Sequence, residues 1–526
     1  MQMSPHLNFN SSHADNSQSG TNHLELGVLP EWNLSDLYSG PLAKEIKRDL
    51  QDVKKLSQSF AAQYENNLSK LSASEMLACI QSQEKITSLI GRLMSFASLR
   101  YYQLTTDPSR TKLLSDIQDK ITDYSSNLVF FSLEFNSLDE NHLKSMLRKN
   151  SALARYETAF NRMRAMKPYQ LSDELEKFLH QQSVVGATAW NKLFDETITN
   201  LKFSINEKSF SLEEILNKFS DGNRGNRKKA AKSLSFVLQE NITLFSRITN
   251  TLTKEKSIED KWRQFPNPQF ARHLSNDVEA EVVDALRNAV VNSYSKTSHR
   301  YYKLKAKWLG LKKLEIWDRN APLPQNTERV IRWEEARDIV TTAYKNFDTR
   351  MEKLIAPFFE KGWIDPSVKI GKAPGAFSHP TVTDVHPYIL LNYQGKQRDV
   401  MTLAHELGHG IHQSLSSSQG EILSSTPLTL AETASVFGEM LTFQTMLAES
   451  DGEQTRKQLL AGKVEDMINT VIRQISFYDF ECRVHSERQT GELTPNQIGK
   501  IWLEVSQESL GPNFNYMKGY ENFWAY

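Results

Sequence analysis

Two histidines and a glutamate in the stretch LAHELGHGIH (403–412) have a spacing that can hold and use a metal ion. On a helix, His405 and His409 lie one turn apart on the same face. Imidazoles placed in this way can both bind one Zn²⁺ at about 2.0–2.1 Å. Glu406 follows the first histidine, and its carboxylate can take a proton from a water molecule that the metal activates. The pattern therefore predicts metal-assisted hydrolysis.

The competing interpretation is that these histidines lie on the surface of an ordinary helix. The segment VMTLAHELGHGIH has helical apolar spacing, with Asp399 as its expected N-cap. It follows a β-branched and aromatic stretch, 379–395, that is typical of strand structure. An amphipathic helix that directly follows a strand favours the metal site over the surface-histidine interpretation.

A catalytic zinc site needs a third protein ligand and one open position. His412 stands only three residues beyond the second histidine, and the metzincin pattern H-E-x-x-H-x-x-G-x-x-H is absent. We expect His412 to support the site, contact substrate or pack, and not to bind the metal.

Glu432 is the predicted third ligand. It lies on a second predicted helix, 427–443, between apolar neighbours that would make an unpaired carboxylate costly. Glu439 follows two turns later on nearly the same face and is predicted to orient a ligand histidine. Small residues between the two glutamates favour close approach of this helix to the histidine helix, namely Ala434, Ser435 and Gly438.

Composition excludes several other classes of function. Lys plus Arg (63) equals Asp plus Glu (63), so the net charge predicts neither a nucleic-acid nor a membrane partner. The basic run at 224–232 contains no aromatic residues and is interpreted as a solvated helix face. Two cysteines form no disulfide framework, and the polar segment 1–25 is typical of a disordered tail without a signal sequence. These features predict a cytoplasmic protein; they leave its oligomeric state open.

Helical periodicity dominates the chain, as the three- and four-residue steps between Ile86, Leu89, Ile90, Leu93 and Ala97 illustrate. Strand signals are few, but alternation around Asn206, Glu207 and Lys208 predicts a hairpin, with Ser211 opening the next helix. We therefore predict a mainly α fold with a small β-sheet beside the zinc-binding helix. Its expected organisation is an N-terminal helical domain, 26–190, followed by a catalytic domain, 191–526.

With these motifs in place, the chain resembles the oligoendopeptidase F branch of the thimet-oligopeptidase-like zinc peptidases. The resemblance covers nearly the whole chain after residue 25. The residues that carry it are HELGHGIH (405–412), LAETASVFGEML (430–441), PGAFSHPTVTDVHPYILLNY (374–393), LPEWNLSDLY (29–38) and the stretch 299–324.

The resemblance implies a large multi-helix body with a deep channel that admits short unfolded peptides, and one Zn²⁺ on the channel floor. Carried over to this sequence, it implies that His405, His409 and Glu432 bind zinc and that Glu406 is the general base. It also implies that the segment Gly375, Ala376 and Phe377 lies near the cleft, where an extended peptide can add as a strand.

The chain departs from the family at its C-terminal end, where it stops at GYENFWAY. Family members continue with a segment whose histidine and tyrosines donate hydrogen bonds to the tetrahedral intermediate. Losing one such donor lowers the rate by about 10²–10³. An incomplete catalytic domain that binds zinc and peptides but cleaves weakly or not at all is therefore the second functional hypothesis. A zinc aminopeptidase on another fold is the third, and it is disfavoured because no G-x-M-E-N-like segment precedes the motif.

Overall fold

The computed structural model describes residues 26–526 except 106, 183–184, 211, 324–329, 370, 374 and 451. The predicted tail (1–25) and Ser211 of the predicted helix start lie outside these residues. Tertiary contacts divide the chain into two compact units, Met1–Gln170 with Glu328–Glu449, and Leu171–Thr327 with Ser450–Tyr526. The predicted division into functional domains near residue 190 stays a prediction.

The first unit is mainly helical. Its α-helices are α1 (Lys44–Tyr64), α2 (Ala73–Gln103), α3 (Pro108–Ser125), α4 (Val129–Ser137), α5 (Glu140–Lys149), α6 (Ser151–Ala154), α7 (Glu157–Arg164), α15 (Trp333–Phe347), α16 (Thr349–Glu360), α17 (Gln397–Ser416) and α18 (Leu428–Ala448). Short 3₁₀ turns occupy Leu68–Lys70, Ser126–Leu128, Lys167–Tyr169 and Ser417–Gln419.

The second unit is also mainly helical. Its α-helices are α8 (Asp173–Gln182), α9 (Ala187–Asn200), α10 (Leu212–Asn217), α11 (Arg224–Arg263), α12 (Phe270–Ser275), α13 (Ala280–Ser293), α14 (Ser298–Trp308), α19 (Glu453–Arg488) and α20 (Pro495–Leu510). Its 3₁₀ turns are Lys218–Ser220, Ile316–Asp318 and Tyr520–Ala525. The mainly α prediction is confirmed. None of the described helices is both long and apolar enough to cross a membrane.

Three small sheets complete the described structure. In the second unit, β1 (Phe203–Ile205) pairs antiparallel with β2 (Lys208–Phe210), and β3 (Leu314–Glu315) pairs parallel with β7 (Phe514–Asn515). The turn residues Asn206 and Glu207 have φ angles of 49° and 66°, the positive values that a tight two-residue hairpin turn requires. The predicted hairpin is confirmed, but its turn is shorter than predicted, because Lys208 already pairs with Ile205 as the first residue of β2.

The sheet of the first unit has the order β4 (Ile364–Asp365), β6 (Tyr388–Leu390), β5 (Phe377–His379). All three residues of β6 are buried, because this central strand has neighbours on both sides. Strand β5 packs against α17 and is an edge strand of the sheet. The predicted small sheet beside the histidine helix is confirmed.

Helix α17 packs its apolar stripe into the core of the first unit. Val400, Leu403 and Leu407 are fully buried and Ile411 is 4% exposed. Burying one such side chain stabilises the fold by about 1.5–3 kcal/mol relative to leaving it in water. This stripe fixes the rotation of α17 about its axis, and thereby the direction in which the opposite, polar side points.

The start of α17 corrects one prediction, since Asp399 is not the N-cap. The helix begins at Gln397, and Lys396 occupies the cap position. Asp399 Oδ2 instead accepts hydrogen bonds from the backbone N–H groups of Lys396 (3.0 Å) and Gln394 (2.8 Å). The carboxylate in the first turn thus accepts hydrogen bonds from the backbone that precedes the helix. This contact is one of the two that make up a capping box.

Helices α17 and α18 lie close together because small residues stand where they meet. A Cβ on Gly408 would lie 2.5 Å from the backbone oxygen of Ala434, and a Cβ on Gly438 would lie 2.8 Å from that of Ala404. Real Cβ atoms do not approach other atoms so closely, so these positions require glycine. The predicted close approach of the second helix, which the structure places at Leu428–Ala448, is confirmed.

The basic run at 224–232 corrects a second prediction, because it is not simply a solvated face. Arg227 is 4% exposed and its guanidinium lies 2.9 Å from Oδ1 of the fully buried Asp318. Arg224, which is 46% exposed, binds the other oxygen of the same carboxylate at 2.8 Å. Two of the charges therefore hold the second unit together.

Candidate metal centre

The polar side of α17 presents two imidazoles next to each other. The ring centroids of His405 and His409 are 4.9 Å apart, and the rings are nearly perpendicular, at 81°. Their side chains are 24% and 16% exposed. Both rings are therefore held by their surroundings but remain accessible to a small ligand.

Glu432 of α18 brings a carboxylate to this pair. Its Oε2 atom lies 3.2 Å from Nε2 of His405 and 3.6 Å from Nε2 of His409. One ligand atom from each of the three residues lies within 4.8 Å of the other two. Hydrogen bonds from the two histidines and from Ser435 outweigh burial and hold the pKa of Glu432 well below its usual range. The carboxylate is therefore ionised, as a metal ligand must be.

The setting of Glu432 differs from the one that the sequence predicted. Its side chain is 60% exposed, and the flanking Leu430 is 58% exposed. The apolar neighbours point away from the core, because Ser435, Gly438 and Thr442 form the buried side of α18. The predicted apolar surroundings of the Glu432 carboxylate are therefore wrong. Its position beside both histidines nevertheless agrees with that of the expected ligand.

Glu439 lies behind the first histidine. Its Oε1 atom is 2.6 Å from Nδ1 of His405, so the ring donates from Nδ1 and its Nε2 points towards Glu432. Burial alone would lower the pKa of His405, but hydrogen bonds to Glu432 and Glu439 raise it to about 10. In this arrangement the imidazole is a cation between two carboxylates, and binding a divalent cation there requires it to lose the Nε2 proton.

Glu406 is buried, at 6% exposure. Its Oε2 atom has no hydrogen-bond partner among the described residues. Burial raises the pKa of this carboxyl group to about 7, while the charges of His405 and His409 lower it. A buried carboxyl group with a free oxygen and a pKa near neutrality is suited to accept and return a proton.

The other predicted site residues occupy less central positions. His412 is partly exposed and does not belong to the group of converging ligand atoms in the described structure. Gly375 has a positive φ of 71° and precedes the edge strand β5, which Phe377 begins. The ring of Phe377 packs against Tyr102, with centroids 5.2 Å apart. Ala376 is partly buried against the core around α17.

Three residues around the site were not identified from the sequence. Ser435 donates a hydrogen bond to Oε2 of Glu432 at 2.8 Å; its position one helical turn after Glu432 was the available signal. The Tyr344 hydroxyl donates to the Ala404 carbonyl at 2.9 Å. Gln413 forms two hydrogen bonds with Ser378 of β5: its Oε1 accepts from the Ser378 hydroxyl (2.8 Å), and its Nε2 donates to the Ser378 backbone oxygen (3.1 Å). The last two contacts join residues that are far apart in sequence, so no local pattern indicates them.

Comparison with known families gives two matches. A family model described as "Peptidase family M3" matches residues 219–521, and one described as "Oligopeptidase F" matches residues 134–203. The first match covers more than half of the chain and includes the histidine motif and Glu432.

Among curated proteins, the chain is similar to oligopeptidase PepF of Bacillus subtilis, with 25% identity over 93% of this chain and 73% of the relative. It is 26% identical to an oligoendopeptidase F homolog of Lactococcus lactis, over 83% of this chain and 74% of the relative.

Solved structures share the fold. A putative peptidase from Chlamydophila abortus superposes with a TM-score of 0.77 and 23% identity, over 94% of this chain and 83% of that one. An oligoendopeptidase-F from Enterococcus faecium gives a TM-score of 0.65 and 19% identity, over 92% and 83% of the two chains.

Proposed function

Since the chain belongs to Peptidase family M3 and is a metalloendopeptidase, we propose that it cleaves internal bonds of short unfolded peptides with one Zn²⁺ held by His405, His409 and Glu432. Glu406 is the general base in this proposal. The observation that carries it is the convergence of three ligand atoms within 4.8 Å beside a buried carboxyl group that has a free oxygen.

The residues present fit a zinc ion. Two imidazoles and one carboxylate form a His₂Glu donor set, which is common in catalytic zinc sites and leaves one coordination position open. When bound, Zn²⁺ supplies a Lewis acid that polarises a carbonyl group and makes a water molecule more acidic. Glu439 fixes the ring of His405, and Ser435 fixes the carboxylate of Glu432, so both residues would be held ready to bind the ion.

Glu406 moves the proton in the proposed reaction. Its carboxylate takes a proton from the water that attacks the scissile carbonyl, and the protonated side chain then donates it to the leaving amine. Burial raises the pKa of this group to about 7, close to that expected for a zinc-activated water, so uptake of the proton is nearly balanced in free energy and its transfer to the more basic amine is favourable. A carboxyl group with an ordinary pKa would return the proton too readily to the solvent and be a weaker base.

Strand β5 is the proposed binding edge for the substrate backbone. It is an edge strand and packs against α17, the helix that carries the histidines. A peptide that adds to this edge in an extended conformation would run past Gly375, Ala376 and Phe377. Folded proteins do not present a free extended segment, which agrees with short unfolded peptides as substrates.

The proposed location is the cytoplasm. The two cysteines, Cys79 and Cys482, are unpaired, which supports this location.

The experiment compares wild type and Glu406→Gln for bound zinc and for hydrolysis of an internally quenched fluorescent peptide. The glutamine keeps the size of the side chain but cannot accept the proton. We expect about one zinc per chain in both proteins and a loss of at least about 10²-fold in kcat for the variant. Glu432→Ala should instead lose the zinc.

Four outcomes would contradict parts of the proposal. Equal turnover by wild type and Glu406→Gln would remove Glu406 as the base. Full zinc occupancy in Glu432→Ala would remove Glu432 as a ligand. Peptide binding without cleavage by zinc-loaded wild type would support the second hypothesis, a peptide-binding protein of the same fold. Release of single N-terminal amino acids as the first products would indicate an aminopeptidase.

A further inference from the structure

A second cluster of charged groups lies in the second unit, around a small cavity. The cavity has a volume of about 20 Å³, and its polar lining comes from α14, α19, α20, the 3₁₀ turn Tyr520–Ala525 and Arg319, which follows the 3₁₀ turn Ile316–Asp318. Arg319 and Arg473 bring positive charge to it, and Trp502 brings an indole N–H group. No Asp or Glu is among the described residues that line it.

Two N–H groups of the lining residues have no acceptor. Arg473 Nε and Trp502 Nε1 are both buried without a hydrogen-bond partner among the described residues. The indole of Trp502 is held in place by stacking on Phe477, with centroids 5.9 Å apart. An unpaired buried donor costs about 1–3 kcal/mol, so two of them at one cavity indicate an acceptor that occupies it.

The charges at the cavity are also unbalanced. Neither Arg319 nor Arg473 forms an ion pair with any described carboxylate; Arg319 Nε donates only to the neutral Asn320, at 3.3 Å. Glu465, whose charge also reaches Arg319, is bound by Lys305 at 2.7 Å and by Tyr301 at 2.7 Å. The charge of Arg319, followed by burial, lowers the pKa of Arg473. Two like charges that line one cavity favour an anion inside it.

The size of the cavity decides which anion fits. A buried water needs about 10–15 Å³ of such volume, so 20 Å³ admits one particle of about that size and excludes sulfate, phosphate or a peptide carboxylate. A water molecule could accept from the two free donors but would leave both positive charges uncompensated. A single-atom anion satisfies the donors and the charge together.

We propose that the cavity lined by Arg319, Arg473 and Trp502 binds one halide ion, which is chloride under physiological conditions. The ion accepts hydrogen bonds from the buried N–H groups and offsets the repulsion between the two guanidinium groups. It thereby ties Arg319, which follows the 3₁₀ turn Ile316–Asp318, to helices α19 and α20. This site is independent of the proposed zinc chemistry, since it lies within the second unit and shares no residue with the metal centre.

The test uses the full chain in sodium gluconate, with chloride substituted at constant ionic strength. For wild type we expect a saturable rise in Tm of about 1–2 °C as chloride replaces gluconate. Arg473→Gln, which removes the charge and keeps much of the size, should lose this rise. Arg247→Gln is the matched control, because Arg247 is 59% exposed and pairs at the surface with Glu492; it should keep the full rise.

A second measurement locates the ion in the wild-type protein, so it does not require any variant to fold correctly. Crystals grown or soaked in sodium bromide should give an anomalous scattering peak between Arg319, Arg473 and Trp502. A Tm that does not respond to chloride, or an equal response in Arg473→Gln, would overturn the proposal. So would bromide crystals without a peak in this cavity.

Discussion

The Nδ1 atom of His405 lies 2.6 Å from Oε1 of Glu439, and its Nε2 atom lies 3.2 Å from Oε2 of Glu432. One imidazole therefore connects two carboxylates that are seven residues apart on α18. The contact with Glu439 fixes the ring and its tautomer, and it leaves Nε2 directed at the point where the three proposed ligands converge.

We predict that Glu439→Gln lowers zinc affinity by about 10–100-fold without removing a ligand, because an amide oxygen accepts a weaker hydrogen bond from Nδ1–H of His405 and leaves Nε2 a poorer electron donor to the ion. Competition with a fluorescent zinc chelator measures this affinity. Glu449→Gln, at the C-terminal end of the same helix, is the control and should bind zinc as wild type does. An unchanged affinity in Glu439→Gln would show that the contact does not tune the site.

Gly438→Ala should destabilise the first unit by about 1–3 kcal/mol. The new Cβ would lie 1.8 Å from the Tyr344 hydroxyl and 2.8 Å from the Ala404 carbonyl, so α18 must move away from α17 and carry Glu432 with it. Weaker zinc binding should accompany the loss of stability, and both can be measured on the same preparation by thermal unfolding and zinc titration.

Two further variants check the reason for this effect. Gly462→Ala on α19 meets nothing within 4 Å, so it should be neutral or stabilise by up to about 1 kcal/mol. Adding Tyr344→Phe to Gly438→Ala removes the hydroxyl in the clash and should restore part of the stability. If Gly438→Ala behaves like Gly462→Ala, close packing of the two helices is not what positions Glu432.

Gln413→Ala should raise KM several-fold with a smaller change in kcat. Gln413 links α17 to β5 through its two hydrogen bonds with Ser378, whereas the proposed zinc ligands lie elsewhere on the helix. Loss of the link should loosen the edge strand that we propose for substrate binding. Steady-state kinetics with the quenched peptide separates the two constants, and Gln397→Ala, at the exposed start of the helix, is the control. A fall in kcat at constant KM would contradict this role.

Asp318→Asn should destabilise the second unit by about 3–5 kcal/mol at pH 7, because it leaves the buried Arg227 without its counter-charge. Burial opposes ionisation of Asp318, but hydrogen bonds from Arg224 and Arg227 outweigh it and lower the pKa of the carboxyl group. Asp318 therefore contributes its full stabilisation to the folded state above the ordinary aspartate pKa of about 3.9. This contribution is lost as pH falls through the lower pKa that Asp318 has in the folded protein.

The difference in unfolding free energy between wild type and Asp318→Asn should consequently shrink below about pH 4. Urea unfolding between pH 7 and pH 3 measures it. Asp338→Asn is the control, since the 66% exposed Asp338 pairs at the surface with Arg337, and exposed pairs contribute little. A difference that stays constant with pH would exclude the ionised Asp318 as its source.

Much of the site could be predicted from sequence because its parts follow local rules. The four-residue spacing of His405 and His409 places both rings on one side of any helix, and an apolar stripe predicts that the helix forms. The paired positive φ values at Asn206 and Glu207 are likewise a property of a two-residue turn. The histidine helix starts three residues earlier than predicted, because Asp399 can cap from inside the first turn as well as from the cap position.

The sequence by itself determined the helical class, the histidine pair with its neighbouring glutamate, and the carboxylate on the following helix. Only the tertiary structure decided that Glu432 is exposed and still reaches both rings, that Glu439 contacts His405 and not solvent, and that Gln413 holds the edge strand. It alone brings Arg319, Arg473 and Trp502 to one cavity. The physical reason is that hydrogen bonds, burial and charge act over a few ångströms in space, whereas a sequence pattern reports only neighbours within a few turns of the chain.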